Sequence, residues 1–150
     1  MKYTTEIIID KPLEHVMVLF KDANNLKHWQ RGLKSTKLLK GESGKEGAKR
    51  KLEMNMEGRN ITMIETITKC ELPHNWHARY TSNGLESIQQ NYFESSEDNK
   101  TYWKTTSEFR FSGFMAIVGR VLPGIFKRRS KTVMQDFKNF AENGVSVSTS

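Results

Sequence analysis

Residues 75–111 read NWHARYTSNGLESIQQNYFESSEDNKTYWKTTSEFRF. Two turns punctuate this stretch. Asn83-Gly84 is the strongest hairpin signal in the chain, because both residues tolerate the positive φ that a two-residue type I′ turn needs. Glu97-Asp98-Asn99 suits a three-residue hairpin with Asn99 in the left-handed position. The first turn pairs Tyr80 with Ser87, Ala78 with Gln89 and Trp76 with Asn91. The second pairs Phe93 with Trp103, Asn91 with Thr105, Gln89 with Ser107 and Ser87 with Phe109. Strand side chains alternate with period two, so opposed residues share a face.

Further toward the N-terminus, Pro73-His74 and Gly58-Arg59 read as two more two-residue loops. They predict Ile67 opposite Tyr80, then Met56, Met54, Leu52 and Arg50 opposite Ile61, Met63, Glu65 and Ile67. One face stays in phase across five strands and carries Leu52, Met54, Met56, Ile61, Met63, Ile67, Trp76, Tyr80, Phe93, Trp103 and Phe109. The other carries Lys49, Lys51, Glu53, Asn55, Thr62, His77, Arg79, Lys104, Glu108 and Arg110. That pattern is an antiparallel meander, dry on one side and wet on the other.

The flanks of the meander differ from it. Tyr3, Thr5, Ile7 and Ile9 alternate as an opening strand. Asp10 is placed to cap a helix with Pro12 in its first turn. Leu13, Val16, Leu19 and Phe20 give that helix an apolar stripe. Asp22 opens a second short helix with Leu26 and Trp29 on one side, and glycines 41, 44 and 47 make a flexible loop. Near the C-terminus Ile125, Val133, Phe137 and Phe140 share a helical stripe. Pro123-Gly124 breaks the segment, so the long helix is predicted from about Gly124 to Asn143, with Asn143-Gly144 as its C-cap. The small, polar residues 144–150 read as a disordered tail.

Composition bounds the function classes. The 150 residues suffice for one domain, and a chain of this size buries about 68–70% of its unfolded surface without staples. A single cysteine excludes an intramolecular disulfide framework. The longest apolar stretch, Phe111 to Phe126, is interrupted by Ser112, Arg120 and Pro123 and falls short of the ~20 residues of a membrane span. The opening MKYTTEIIID has no apolar signal region, so the expected compartment is the cytoplasm. Net charge is +7, with one dense cluster at Lys127-Arg128-Arg129-Ser130-Lys131. Inside a helical pattern such a run is a solvated face, and with no RNA-reading aromatic pair beside it no nucleic-acid partner is expected.

The order is therefore strand, two short helices, six-strand meander and long helix. With IIIDKP at residues 7–12 before the first helix and DANNLKHW at 22–29 ending the second, residues 1–143 resemble the START-like (SRPBCC, polyketide cyclase/dehydrase) superfamily, most closely its uncharacterised bacterial members. The resemblance implies an α+β helix-grip fold, a curved antiparallel meander sheet wrapped around a long C-terminal helix. It also implies a cavity between them, often occupied by a lipid, sterol, polyketide or other greasy ligand.

The dry face is not wholly apolar. Ser87, Gln89, Asn91, Thr105 and Ser107 form a contiguous polar patch on adjacent strands. Buried polar groups must be hydrogen-bonded, so these bond one another and trapped water or meet a ligand's polar end. Around them stands a wall of Leu52, Met54, Met56, Met63, Trp76, Tyr80, Phe93 and Trp103, adaptable methionines beside broad aromatics. Phe126, Val133 and Phe137 face it from the long helix. A small amphiphile suits such a pocket. Catalytic candidates are limited to Glu65, Tyr80 and Arg50, which would serve a cyclase- or dehydratase-type proton transfer.

Other motifs lead nowhere. Cys70, His74 and His77 have neither a usual zinc spacing nor a fourth ligand, and Cys70 and His77 fall on the wet face, so no metal is expected. GESGKEG at 41–47 lacks the first glycine and the Ser/Thr of a phosphate loop. No nucleophile-elbow or dinucleotide fingerprint occurs, and no cofactor is expected. His15 reads as exposed and His28 as near a cavity mouth. Three functions stand: carriage of a small hydrophobic or amphiphilic ligand, cyclase-type turnover in the same cavity, and lipid exchange at a membrane. The last would use residues 114–131, where Phe114, Met115, Ile117, Val118, Val121, Leu122, Ile125 and Phe126 adjoin the basic cluster.

Overall fold

The computed structural model describes residues 1–121 and 123–148. Strand β1 (Lys2–Ile9) leads into helix α1 (Leu13–Phe20), a 3₁₀ turn (Ala23–Asn25) and helix α2 (Leu26–Trp29). Six strands follow: β2 (Leu33–Lys40), β3 (Lys49–Met56), β4 (Arg59–Glu71), β5 (Asn75–Ser82), β6 (Leu85–Ser95) and β7 (Thr101–Phe111). Helices α3 (Phe114–Val121) and α4 (Pro123–Asn143) complete the chain. The seven strands form one antiparallel sheet in the order β1-β7-β6-β5-β4-β3-β2. The expected curved meander around a long C-terminal helix is what the chain adopts.

The β5–β6–β7 register is the one read from the sequence, including Tyr80 opposite Ser87 and Asn91 opposite Thr105. Asn99 holds the left-handed conformation its hairpin needs, with φ +58°. The β3–β4 turn differs. It is Glu57-Gly58, both at positive φ, rather than Gly58-Arg59. Leu52 therefore faces Met63, Met54 faces Ile61 and Arg50 faces Glu65. The slip is two residues, so every side chain keeps its face. The β4–β5 loop is also longer than read: Glu71 pairs with Asn75 across Leu72, Pro73 and His74. A bulge between Ile67 and Lys69 absorbs one extra residue. Glu65, not Ile67, consequently lies opposite Tyr80, and Cys70 opposes Trp76 rather than pointing outward.

Three helix details depart from expectation. Pro12, not Asp10, is the N-cap of α1, with no side-chain cap bond; the fixed proline φ starts the helix instead. Residues 114–121, unassigned by periodicity, are helical. Ile125 is exposed rather than part of the buried stripe of α4, which runs through Met134, Phe137 and Ala141. Gly144 does cap α4 at φ +67°, its N–H donating to Phe140 O. Beyond it the stretch read as a loose tail touches α2: Val147 N–H donates to His28 O, and Ser146 Oγ lies 2.8 Å from His28 Nδ1. Residues 149 and 150 lie outside the described residues.

Helix α4 lies across the concave side of the sheet and is tied at its flanks. Lys138 donates to Ile8 O, Tyr3 OH to Phe126 O, and Arg31 forms a two-bond fork with Asp136. The core lies at one end of this wedge. Phe20 from α1 meets Trp29, Trp76, Phe93, Trp103 and Phe137, at ring separations from 4.9 Å for Phe93 to 5.9 Å for Trp103. Most of these meetings are edge-to-face, the geometry the ring quadrupole favours. At Gly32, just after α2, the backbone runs so close to β3 that a Cβ would sit 2.2 Å from Asn55 O. Truncating the hub, Phe20→Ala, is expected to cost about 3–5 kcal/mol in chemical denaturation. A loss below about 1 kcal/mol, the scale of a surface substitution, would mean that the cluster does not hold the wedge shut.

Candidate functional site

The sheet and α4 diverge away from the Phe20 cluster and leave a cavity of about 590 Å³. Its wall is Leu52, Met54 and Met56 from β3, Ile61 and Met63 from β4, Trp76 and Tyr80 from β5 and Trp103 from β7. Helix α4 contributes Phe126, Val133 and Met134. Alternation along each strand puts these residues on the concave side. The cavity meets the surface at the β3–β4 and β5–β6 hairpin tips, where the exposed Arg59, Asn60 and Asn83 join its lining. Met115 of α3 lies at the same end.

The polar patch bonds largely within itself. Ser107 Oγ donates to Gln89 Oε1 at 2.6 Å, and Gln89 Nε2 donates to Ser87 Oγ. Trp103 Nε1 and Thr105 Oγ1 both donate to Asn91 Oδ1, at 2.9 and 2.7 Å. Indole N–H is donor only, so the atom facing it must be the amide oxygen. The Asn91 NH₂ is thereby turned away from Trp103, with no protein acceptor among the described residues. Asn91, Thr105, Ser87 and Gln89 line the cavity. Trp29, another lining residue, has a buried Nε1–H without a partner among the described residues.

Arg50, Glu65 and Tyr80 stand side by side across β3, β4 and β5. Glu65 is 7% exposed, and its Oε2 accepts 2.7 Å from Tyr80 OH. Burial pushes its carboxyl above the usual range, against the Tyr80 bond and the Arg50 charge, which pull it down. Tyr80 is held well above its ordinary value by burial and by the neighbouring Glu65. Arg50 makes no ion pair with Glu65; it donates to Thr36 Oγ1 and Ser43 Oγ. It lines a separate space of about 60 Å³, which Glu65 and Tyr80 also border. Chemically, Glu65 is a carboxyl whose neutral form is favoured, placed to hold or release one proton beside a phenol.

Most of the wall anticipated from the sequence does line the cavity. Phe93 and Phe137 do not: both are fully buried in the aromatic cluster. Ser107 is fully buried behind Gln89, and Arg50 faces the smaller space. Reasoning by strand register missed Leu26, Gln30, Leu33, Arg129, Ser130 and Met134, which helices and their exits bring to the lining. The only available signal was their neighbours in the α2 and α4 stripes, Trp29 and Val133. His77 is buried on the convex side against the Tyr92 ring, and burial lowers its pKa. His74 Nδ1 lies 2.9 Å from Phe93 O, and Cys70 Sγ donates to Gly44 O. Among the described residues no cluster of three metal-ligating side chains occurs, and no helix is long and apolar enough to cross a membrane. In the segment 114–131, Phe114, Ile117 and Val121 are 75%, 60% and 67% exposed. Leu122 lies outside the described residues.

Burial raises the Glu65 pKa above its unfolded value of about 4.3. The native state then binds this proton more tightly. By linkage, the stabilisation is full below the unfolded pKa and is lost as pH rises through the folded one. Glu65→Gln keeps an acceptor for Tyr80 and removes the ionisation. Its melting temperature is expected to exceed wild type at pH 7, by about 2–4 °C for each kcal/mol relieved, with the gap closing near pH 4. A variant that melts lower at pH 7 would show a carboxylate held ionised by Arg50 and Tyr80.

No family model and no curated protein matches this chain. Solved structures do. A protein of Thermus thermophilus matches with a TM-score of 0.77 at 13% identity, over 97% of this chain and 100% of its own. The Zhui aromatase/cyclase of a Streptomyces species matches at 0.76 and 13%, over 95% and 93%. A norcoclaurine synthase point mutant from Thalictrum, in complex with a transition-state analogue, matches at 0.70 and 7%, over 94% and 93%. Such low identities establish a fold and leave activity to the site. What this chain shares with these proteins is the helix-grip fold, a curved antiparallel sheet wrapped around a long C-terminal helix.

Proposed function

We propose that this chain binds a small hydrophobic or amphiphilic ligand, lipid-like, polyketide-like or aromatic, in the cavity between sheet and α4. The observation that carries this reading is the cavity itself, about 590 Å³ and walled by Leu52, Met54, Met63, Trp76 and Trp103. That volume lies within the range of small-molecule sites, which are mostly apolar with a few placed polar groups. Keeping such a space unfilled sacrifices packing on every wall, so a ligand that fills it gains contacts without opening the core. Cyclase-type turnover in the same cavity would draw on Glu65 and Tyr80, a hydrogen-bonded acid–phenol pair in its lining.

A second reading, that the ligand is loaded at an anionic membrane surface, is favoured by α3. Its Phe114, Ile117 and Val121 project into solvent, and Met115 of the same helix lines the cavity. Residues 111–135 hold Arg120, Lys127, Arg128, Arg129 and Lys131 and no acid. Apolar side chains beside uncompensated base suit an anionic interface.

Two measurements test these readings. The neutral fluorophore N-phenyl-1-naphthylamine is expected to brighten on binding one per chain, and Met63→Trp, which fills the cavity, to weaken it by about tenfold, or 1.4 kcal/mol. Absence of binding, or equal affinity in the filled variant, would remove the cavity from the account. In sedimentation with phosphatidylserine-containing vesicles at low salt, wild type is expected to pellet and Phe114→Ser/Ile117→Ser to stay in the supernatant. Wild type remaining soluble would end the membrane reading alone.

A further inference from the structure

Among the described residues the cavity lining holds three acidic or basic side chains: Glu65, Arg59 and Arg129. Glu65 is satisfied by Tyr80. The two guanidiniums are not. Arg129 leaves α4 partly buried, and no hydrogen-bond acceptor or ion-pair partner meets it among the described residues. Two carboxylates share its surroundings, Glu57 and Asp136, with Arg31 adding a like charge. Asp136 is committed elsewhere: Arg31 Nε and Nη2 take both its oxygens, at 3.2 and 3.0 Å. Glu57 sits on the exposed β3–β4 tip, outside ion-pair distance. Arg59, the first residue of β4, is exposed and likewise unpaired among the described residues.

A charge drawn partly out of water is paired in a stable protein, or its unpaired state serves a ligand. Two further groups on lining residues are donors of the kind an anion accepts from. The Asn91 NH₂ and the Trp29 indole N–H are donors without acceptors among the described residues. Resting on the reading that the cavity binds a ligand, we infer that this ligand ends in a carboxylate on an apolar body, with Arg129 as its anchor and Arg59 adding charge at the rim. The planar guanidinium fork matches a carboxylate in two parallel hydrogen bonds, and burial beside Val133 and Met134 shields that pair from water. The apolar body then lies along the Leu52, Met54 and Met63 wall. Glu65, on β4 of the sheet, is bonded to Tyr80 and makes no ion pair with Arg129 on α4.

The test is displacement of bound N-phenyl-1-naphthylamine by four ligands with the same chain: decanoate, decan-1-ol, decylamine and decyl phosphate. Decanoate is expected to displace the probe at about tenfold lower concentration than decan-1-ol, the scale of one charge-assisted hydrogen bond. Arg129→Gln is expected to bring that ratio close to one, and Arg129→Lys, which keeps the charge and loses the fork, to leave it intermediate. Melting curves establish that each variant is folded. Equal displacement by acid and alcohol overturns the inference, as does preference for the amine or a carboxylate preference that survives Arg129→Gln. A preference for decyl phosphate over decanoate overturns the carboxylate in favour of a phosphate head. Failure of the probe itself to bind defeats the cavity reading, whereas a bound probe with no head-group preference defeats only the anion.

Discussion

The molecule depends on one aromatic ring being held from every side. Phe20 lies among Trp29, Trp76, Phe93, Trp103 and Phe137, so α1, α2, three strands and α4 converge on it. A curved sheet and a straight helix cannot stay in contact along their whole length. Packing them tightly at one end fixes the angle at which they separate at the other. The cavity is thus the geometric remainder of the Phe20 contact. Its walls are lined by the same alternation that fills the core, but no element is left to fill the gap.

Polarity within this space follows the same economy. Asn91 receives two donors on one oxygen, and Gln89 links two serines, so the patch is tied in place by its own strands. A network tied in this way holds its geometry by bonds within the sheet and leaves the Asn91 NH₂ as a donor without a protein acceptor among the described residues. Glu65 is the contrasting case. Its phenol partner supplies one hydrogen bond while the nearby guanidinium of Arg50 is turned toward Thr36 and Ser43. Among the described residues, the guanidiniums of the lining stand on α4 and at the start of β4, and its carboxyl stands within the sheet.

Legibility in the sequence tracked the kind of information each element carries. The β5–β6–β7 register was readable because Asn83-Gly84 and Asn99 are residues whose backbone preferences match their turns. The β3–β4 turn was misread because Glu57 occupies a left-handed position that glutamate rarely takes. The bulge after Ile67 leaves no composition signal, yet it decides that Glu65 faces Tyr80, while the longer loop between Glu71 and Asn75 sets Cys70 opposite Trp76. Slips of two residues preserved the wall of the cavity, so Leu52, Met54, Met63 and Trp103 were found despite wrong partners in β3 and β4. Arg129 and Met134 were not, because a strand register says nothing about how a helix is rotated over the sheet. Phe93 and Phe137 lie in the core rather than in the lining for the related reason that the Phe20 contact decides where core ends and cavity begins.

The sheet does not close on itself, and β2 is left as an edge whose outer side has no partner strand among the described residues. Along it Lys34, Lys37 and Lys40 are all exposed, and two irregularities in its pairing with β3 roughen the edge. Unpaired strand edges invite pairing with another copy, and lysines and bulges are devices that discourage it. A protein with a gap in its interior has less packing to hold a misdocked strand at bay, so the edge charge matters more here than in a filled domain. Colloidal behaviour at high concentration is in this sense coupled to the cavity: the more interior space is kept for a guest, the more the rim must refuse its own kind.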